Sequence, residues 1–275
     1  MSQSELRIRD PNPSGNSTVL KIDNLTKFFG GLRAVHNFDV EIKKGELVGL
    51  IGPNGAGKTT IFNMITGIYP VSAGSIFFNG QDITNLPSHR ITQMGIGRTF
   101  QKIRIFPNLT VLDNVRVAYH THASYGLFDG VVRSPRFGSG EKEMTERAQE
   151  FLAVFGLERY QDSLASNLPY GEQRRMEIAR ALATEPELLL LDEPAAGMNP
   201  QESVELMDLI HFIRDRFDLT VLLIEHQMRV VMGICEWITV IDFGEIIARG
   251  TPKEIQNDPR VIEAYLGTQA IKEVA

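Results

Sequence analysis

Eight consecutive residues, Gly52-Pro53-Asn54-Gly55-Ala56-Gly57-Lys58-Thr59, fit the spacing G-x-x-x-x-G-K-[ST]. Glycines let a backbone curl until several N–H groups point into one hollow. A following helix adds the positive end of its dipole, and a lysine adds a point charge, so the whole is a cradle for the β- and γ-phosphates of a nucleoside triphosphate. Lys58 is expected to bind the phosphates and assist their transfer, and Thr59 to ligand Mg²⁺. Gly52, Pro53, Asn54, Gly55, Ala56, Gly57 and Thr60 complete the expected nucleotide contacts. The other common phosphate fingerprint, G-x-G-x-x-G, does not fit these glycines. Further on, Leu188-Leu189-Leu190-Leu191-Asp192-Glu193-Pro194 sets two acids at the end of an apolar run. There Asp192 would hold Mg²⁺ through water, and Glu193 would polarise an attacking water as general base. The combination points to hydrolysis of ATP or GTP.

Such groups need rigid elements behind them. Leu47 to Gly52 is a continuous apolar run, as befits a strand buried on both faces, and Thr59 to Thr66 reads as a helix stopped by Gly67. Two further strands are expected, one ending at Asp192 and one, Thr220 to His226, ending at His226. Period-two alternation in the run from Val19 and in Phe38 to Ile42 adds an antiparallel part near the N-terminus. The fold class is therefore α/β with a largely parallel sheet. Asn199-Pro200-Gln201-Glu202 carries the signature of a helix start, predicting a helix to about Phe217 with Val204, Met207, Ile210 and Ile213 as its apolar face.

Between about Lys102 and Ser166 the pattern turns helical: Thr110 to Tyr119, then Met144, Ala148, Phe151, Leu152 and Phe155 at helical spacing. His120 to Gly140 separates them as a loose tract, and its Ser124 to Gly140 part reads as a mobile loop. The organisation expected is a polar arm over 1–18, one domain over 19–267 with a helical subdomain at about 102–184, and a short tail over 268–275.

The chain has 275 residues with 28 Lys+Arg against 34 Asp+Glu, a net charge of −6. That balance argues against holding nucleic acid by general charge attraction. Cys235 is the only cysteine, which excludes an intrachain disulfide and a thiolate metal cluster. No run approaches the roughly 20 apolar residues a membrane span requires, and no secretory signal opens the chain, so a cytoplasmic protein is expected.

Four more segments, in order, make the chain resemble the ATP-binding cassette subunits of membrane transporters from about Leu20 to Gly267. Phe29 sits where that family stacks an aromatic on adenine. Gln101, in Arg98-Thr99-Phe100-Gln101, falls at the family's glutamine that touches Mg²⁺ and faces the membrane partner. Leu168-Pro169-Tyr170-Gly171-Glu172-Gln173 stands at the signature, normally LSGGQ, ahead of a helix expected to end near Pro186. Gly171 is its retained nucleotide contact. His226 occupies the position of the histidine that contacts the γ-phosphate. The other five histidines, His36, His89, His120, His122 and His211, receive no function.

The resemblance implies a P-loop NTPase fold, with a RecA-like core, an antiparallel β subdomain and a helical subdomain. It also implies two cassettes closing head to tail around two ATP molecules, each nucleotide held between one P-loop and the other's signature. The departures matter too. Pro169 and Tyr170 replace the signature's serine and first glycine, removing a hydroxyl donor, and Ala195-Ala196-Gly197-Met198-Asn199 differs from the usual segment after the acid pair. With Gly95 to Phe106 and the C-terminal Val261-Ile262-Glu263-Ala264-Tyr265-Leu266-Gly267, these departures are most similar to the ATPases of bacterial branched-chain amino acid importers.

That narrower resemblance implies a second cassette subunit, similar but non-identical, or else a copy of this chain. It also implies two integral-membrane permease subunits, an external amino-acid-binding protein, no nucleic acid, and a place on the cytoplasmic face of the membrane. The insertion from about Lys102 to Ser166, with Gln101 at its entrance, is the expected docking surface for the permease, and Phe106-Pro107-Asn108-Leu109 is its most exposed-looking apolar part. Other cargoes, such as urea or a lipid-linked glycan, stay open. A soluble ATPase acting on nucleic acid or ribosomes is disfavoured, because the chain lacks duplicated cassettes, long coiled coils and zinc cysteines.

Overall fold

The structure, a computed structural model, describes residues 17–122, 129, 132 and 134–266. The N-terminal arm expected over 1–18 and most of Ser124 to Pro135 lie largely outside the described residues. In chain order the elements begin with β1 (Thr18–Phe29), β2 (Leu32–Lys43), β3 (Leu47–Ile51), α1 (Lys58–Ile65), β4 (Ala73–Phe78), β5 (Gln81–Asp82), α2 (Ser88–Gln93) and β6 (Ile96–Arg98). Next come α3 (Val111–Tyr119), α4 (Pro135–Val154) and α5 (Tyr170–Leu182). The chain continues through β7 (Leu188–Asp192), α6 (Pro200–Phe217), β8 (Thr220–Ile224), α7 (Met228–Ile234), β9 (Trp237–Asp242), β10 (Glu245–Gly250), α8 (Pro252–Gln256) and α9 (Pro259–Leu266).

The described chain forms two compact units, one of Thr99–Pro186 and one of the segments that flank it. In the flanking unit an antiparallel sheet has the order β2-β1-β4-β5, and a second sheet has the order β10-β9-β3-β8-β7-β6. Every residue of β3, β7 and β8 is buried, which is why these three read as unbroken apolar runs. They pair in parallel, Leu50 opposite Ile224 and Ile224 opposite Asp192, so their C-terminal ends lie side by side. Phe38, Phe62, Phe78, Leu50, Leu190 and Ile241 pack into one core between the two sheets and α1. Each such side chain contributes about 1.5–3 kcal/mol of burial.

The capping box at Asn199 forms as expected, its side chain accepting from Gln201 and Glu202 while Glu202 accepts from the Asn199 N–H, and α6 ends at Phe217. Its fully buried face is Ser203, Leu206, Ile210 and Ile213, rotated from the expected stripe, so that Val204 and Met207 are only part-buried. Strand β8 stops at Ile224, two residues before the expected end, because Glu225 turns its side chain to neighbouring backbone N–H groups.

In the Thr99–Pro186 unit, α3 is capped by Thr110, which accepts from the Asp113 N–H. Helix α4 starts at Pro135, inside the tract expected to be loose. Ser134 accepts from the Phe137 N–H and Pro135 takes the first helical position, where a missing N–H costs nothing. Helix α5 ends at Leu182, earlier than expected, and Glu185 beyond it takes a left-handed conformation at φ 47°. Among the described residues no helix is long and apolar enough to cross a membrane.

Candidate active site

The cradle begins where β3 ends. Gly52 has φ 152°, and a Cβ there would lie 2.0 Å from the Ile241 carbonyl oxygen. Gly57 has φ 105°, and a Cβ there would lie 2.7 Å from the Ala34 carbonyl oxygen. Only glycine fits both the dihedral angle and the close approach of backbone at these two positions. The Gly244 N–H clamps the loop from outside by donating to the Ala56 carbonyl at 3.0 Å. Gly57 gives α1 no side-chain cap, so the first-turn N–H groups of that helix remain for a ligand.

Lys58 is buried, and its ammonium donates to the Gly52 carbonyl at 2.7 Å and the Pro53 carbonyl at 2.9 Å. Burial lowers its pKa below that of an ordinary lysine, opposed by the negative charges of Glu193 and Asp192. That coupling joins the acid pair of β7 electrostatically to the lysine that follows β3.

Asp192 is buried at the end of β7 and accepts from Arg98 Nη2 at 2.9 Å. The same guanidinium donates through Nη1 to Asn63 at 2.8 Å and Thr66 at 2.9 Å, and lies over the Phe62 ring at 5.5 Å. Glu193 adopts φ 48°, a left-handed conformation costing about 1–2 kcal/mol for a residue with a Cβ. Its N–H donates to the Ile224 carbonyl at 2.8 Å, which pins the turn to β8.

His226 presents Nδ1 3.6 Å from Glu193 Oε2. Its side chain is half-exposed, whereas Glu225 beside it is fully buried. The Glu225 carboxylate accepts from the N–H groups of Ala195 at 2.8 Å, His226 at 2.9 Å and Gln227 at 3.1 Å. Gln227 returns a bond from its side-chain amide to the Ala195 carbonyl at 2.8 Å. The segment after the acid pair and the segment carrying His226 are thereby stitched together.

Phe29 is 41% exposed, so it is a surface ring and not core. Tyr69 meets it edge-on at 5.3 Å, and Lys27 Nζ lies 5.0 Å from its centroid. Thr59 is exposed at the first turn of α1. Among the described residues no group of three or more His, Cys, Asp or Glu side chains gathers to cage a metal. A hydroxyl and a carboxylate are hard oxygen donors of the kind Mg²⁺ combines with phosphate oxygens and water, so Thr59 and Asp192 fit that ion.

Gln101 and Gly171 both lie in the Thr99–Pro186 unit. Arg174 Nη1 donates to the Phe100 carbonyl at 2.9 Å and Nη2 to the Gln101 carbonyl at 3.0 Å. Glu177 accepts from Arg174 at 2.7 Å and from the N–H groups of Phe100 at 3.3 Å and Arg104 at 3.2 Å. Burial raises the Glu177 carboxyl above the usual carboxylate range, with Arg174 pulling it down. Helix α5, which starts at Tyr170 within the signature, thus grips the Gln101 segment through a buried ion pair. Tyr170 is exposed, and its oxygen accepts from Arg174 at 3.3 Å.

Arg98, Glu225, Gln227, Arg174 and Glu177 had no role in the sequence reading. A charge closing an otherwise apolar strand was the available signal for Arg98 and Glu225, and (i, i+3) opposite charges on a helix for Arg174 and Glu177.

Residues 35–196 match the family model described as ABC transporter, and residues 245–271 match one described as branched-chain amino acid ATP-binding cassette transporter. The chain is 48% identical over 249 residues to the high-affinity branched-chain amino acid transport ATP-binding protein LivG of Escherichia coli, covering 90% of this chain and 98% of that one. The solved ADP conformation of MJ1267, an ATP-binding cassette of an ABC transporter, superposes with a TM-score of 0.79 at 31% identity over 91% of this chain and 99% of that one. A dimeric post-hydrolysis structure of the cassette MJ0796 bound to ADP and Pi superposes with a TM-score of 0.72 at 27% identity, covering 85% of this chain and 98% of that one.

Proposed function

The chain belongs to the ABC transporter family of ATP-binding cassettes, and on that premise we propose that it is the ATP-hydrolysing subunit of an importer of branched-chain amino acids. The observation carrying the chemistry is that three adjacent parallel strands, in the order β3-β8-β7, each end in a functional group. Strand β3 leads into the phosphate cradle, β7 delivers Asp192 and Glu193, and β8 is followed by His226. The end of parallel strands is where α/β sheets place their ligands.

Lys58 exchanges its two carbonyl partners for β/γ-phosphate oxygens when ATP enters, and Phe29 stacks on the base. Thr59 and Asp192 hold Mg²⁺, which when bound neutralises phosphate charge. Glu193 takes the proton of the attacking water, in a turn whose left-handed backbone is held by the Ile224 carbonyl. His226, 3.6 Å from Glu193, contacts the γ-phosphate. The Thr99–Pro186 unit acts as a helical subdomain, about 102–184, within one cassette domain over 19–267. Gly171 and the N-terminus of α5 cover the nucleotide held by a second cassette, a non-identical subunit or a copy of this chain. Exposed Phe106 and Leu109 dock one of two permease subunits on the cytoplasmic face of the membrane, and an external binding protein brings the amino acid.

The test of the site is Glu193→Gln, which keeps the shape and removes the base. Turnover should fall about 10²-fold or more while ATP affinity is kept, and the ATP-bound dimer should accumulate. Near-normal turnover would reject Glu193 as the base. The cargo is tested by copurifying the chain with its membrane partners: leucine with the binding protein should stimulate turnover, and indifference to leucine, isoleucine and valine would reject the importer reading.

A further inference from the structure

The mechanism above leaves one buried cation beside its acid pair without a task. Arg98, the last residue of β6, has a side chain only 6% exposed, facing an Asp192 side chain that is 2% exposed. A buried ion pair is weak grounds for stability, since apolar groups of similar volume often do as well. The geometry here is more specific than charge neutralisation. One planar fork spans two elements: Nη2 reaches Asp192 Oδ2 at 2.9 Å on β7, while Nη1 reaches Asn63 Oδ1 at 2.8 Å and Thr66 Oγ1 at 2.9 Å on or just beyond α1.

One of the acceptors on the α1 side is itself fixed. The Thr66 hydroxyl donates to the Phe62 carbonyl at 2.7 Å, so its lone pairs remain for Arg98, and Phe62 supports the guanidinium from below. Helix α1 carries Lys58 and Thr59 at its other end. The fork therefore fastens the carboxylate of β7 to the same helix that presents the lysine and the hydroxyl.

We propose that Arg98 is a positioning residue for Asp192, fixing its carboxylate relative to Thr59 so that the two present one oxygen set to Mg²⁺. This rests on the nucleotide-site reading above. A lysine could not do the same work, because a single ammonium lacks the fork that reaches Asp192 and the α1 acceptors in one plane.

The experiment titrates a fluorescent ATP analogue into the full chain with excess EDTA, then with increasing MgCl₂, for wild type, Arg98→Met and Arg98→Lys. Manganese resonance spectra of the nucleotide complex give a second readout that does not depend on turnover. Loss of an outer residue that orients a metal ligand typically weakens the metal by about 10- to 100-fold. The MgCl₂ concentration for half-maximal tightening should rise about tenfold or more in Arg98→Met, less in Arg98→Lys, while affinity in EDTA stays within about twofold. If Arg98→Met does not fold, Arg98→Lys decides alone, with a shift of about threefold or more expected. Unchanged magnesium dependence in the folded variants, even with a lowered melting temperature, would make Arg98 merely structural and overturn the inference. A wild type whose nucleotide affinity ignores magnesium would instead overturn the reading of Asp192 and Thr59, and the inference with it.

Discussion

Replacing Glu225 by Gln changes one atom's chemistry and almost no volume, yet it should be among the most damaging conservative changes in the chain. The Glu225 carboxylate accepts three backbone N–H groups at 2.8, 2.9 and 3.1 Å, one on Oε1 from Ala195 and two on Oε2 from His226 and Gln227. An amide offers one oxygen. Its best orientation keeps that oxygen on His226 and Gln227 and turns the amide N–H groups against the Ala195 N–H, donor facing donor where no water enters. Each bond to a charged acceptor is worth about 1.5–3 kcal/mol, and a buried donor left unpaired costs about 1–3 kcal/mol. Allowing for relaxation, the loss should be about 2–4 kcal/mol, or roughly 5–15 °C in melting temperature for a protein of this size.

Trp237 is the only tryptophan and lies in β9, in the same unit as Glu225, so denaturant unfolding followed by its fluorescence reads the relevant transition. Ala195 lies two residues after Glu193, and displacement of the turn by a fraction of an ångström should also lower single-turnover ATP cleavage by about 10- to 100-fold. A stability change below about 0.5 kcal/mol, with cleavage unaltered, would refute the assignment of Glu225 as the clasp between the segments that carry Glu193 and His226.

Two further outcomes follow from groups whose ionisation is displaced. Burial lowers the Lys58 pKa, and a bound triphosphate favours the ammonium, so binding must take up a proton once pH passes that lowered value. ATP affinity should then fall by up to about tenfold per pH unit on the alkaline side, with proton uptake visible by calorimetry in buffers of different ionisation heat; an affinity that begins to fall only where an ordinary lysine titrates would contradict the lowered pKa. Burial, with Glu225 and Glu236 adding, pushes the Cys235 thiol up from 9.0 to about 12. At pH 8 its thiolate fraction should be about a thousandfold below that of a free cysteine, so a disulfide reagent should label the folded chain very slowly and release one thiol after urea; rapid labelling of folded protein would show the site to be open.

What the sequence determined by itself is what chain neighbours can specify. The cradle is a run of eight residues whose glycines meet their own φ requirements, Gly52 at 152° and Gly57 at 105°, and its lysine follows at once. Strands β3 and β7 were readable because full burial demands unbroken apolar residues, and α6 because Asn199, Pro200 and Glu202 cap it within one turn. The ends of elements were less legible: β8 stops early because the Glu225 carboxylate takes the N–H groups of His226 and Gln227 and, from 30 residues away, that of Ala195.

Only the tertiary structure decided the supports. Arg98 meets Asp192 across 94 residues, and Arg174 meets Phe100 and Gln101 across 74 and 73. Such bonds join a side chain to an acid or a backbone group brought near by sheet order or helix packing, and no periodicity records them. The left-handed turn at Glu193 is of the same kind. Its residue type argues against φ 48°, and the conformation holds because the Ile224 carbonyl on the neighbouring strand fixes the Glu193 N–H. Local sequence names the groups proposed for the chemistry, and long-range packing sets where they point, because a hydrogen bond depends on distance in space and not on separation along the chain.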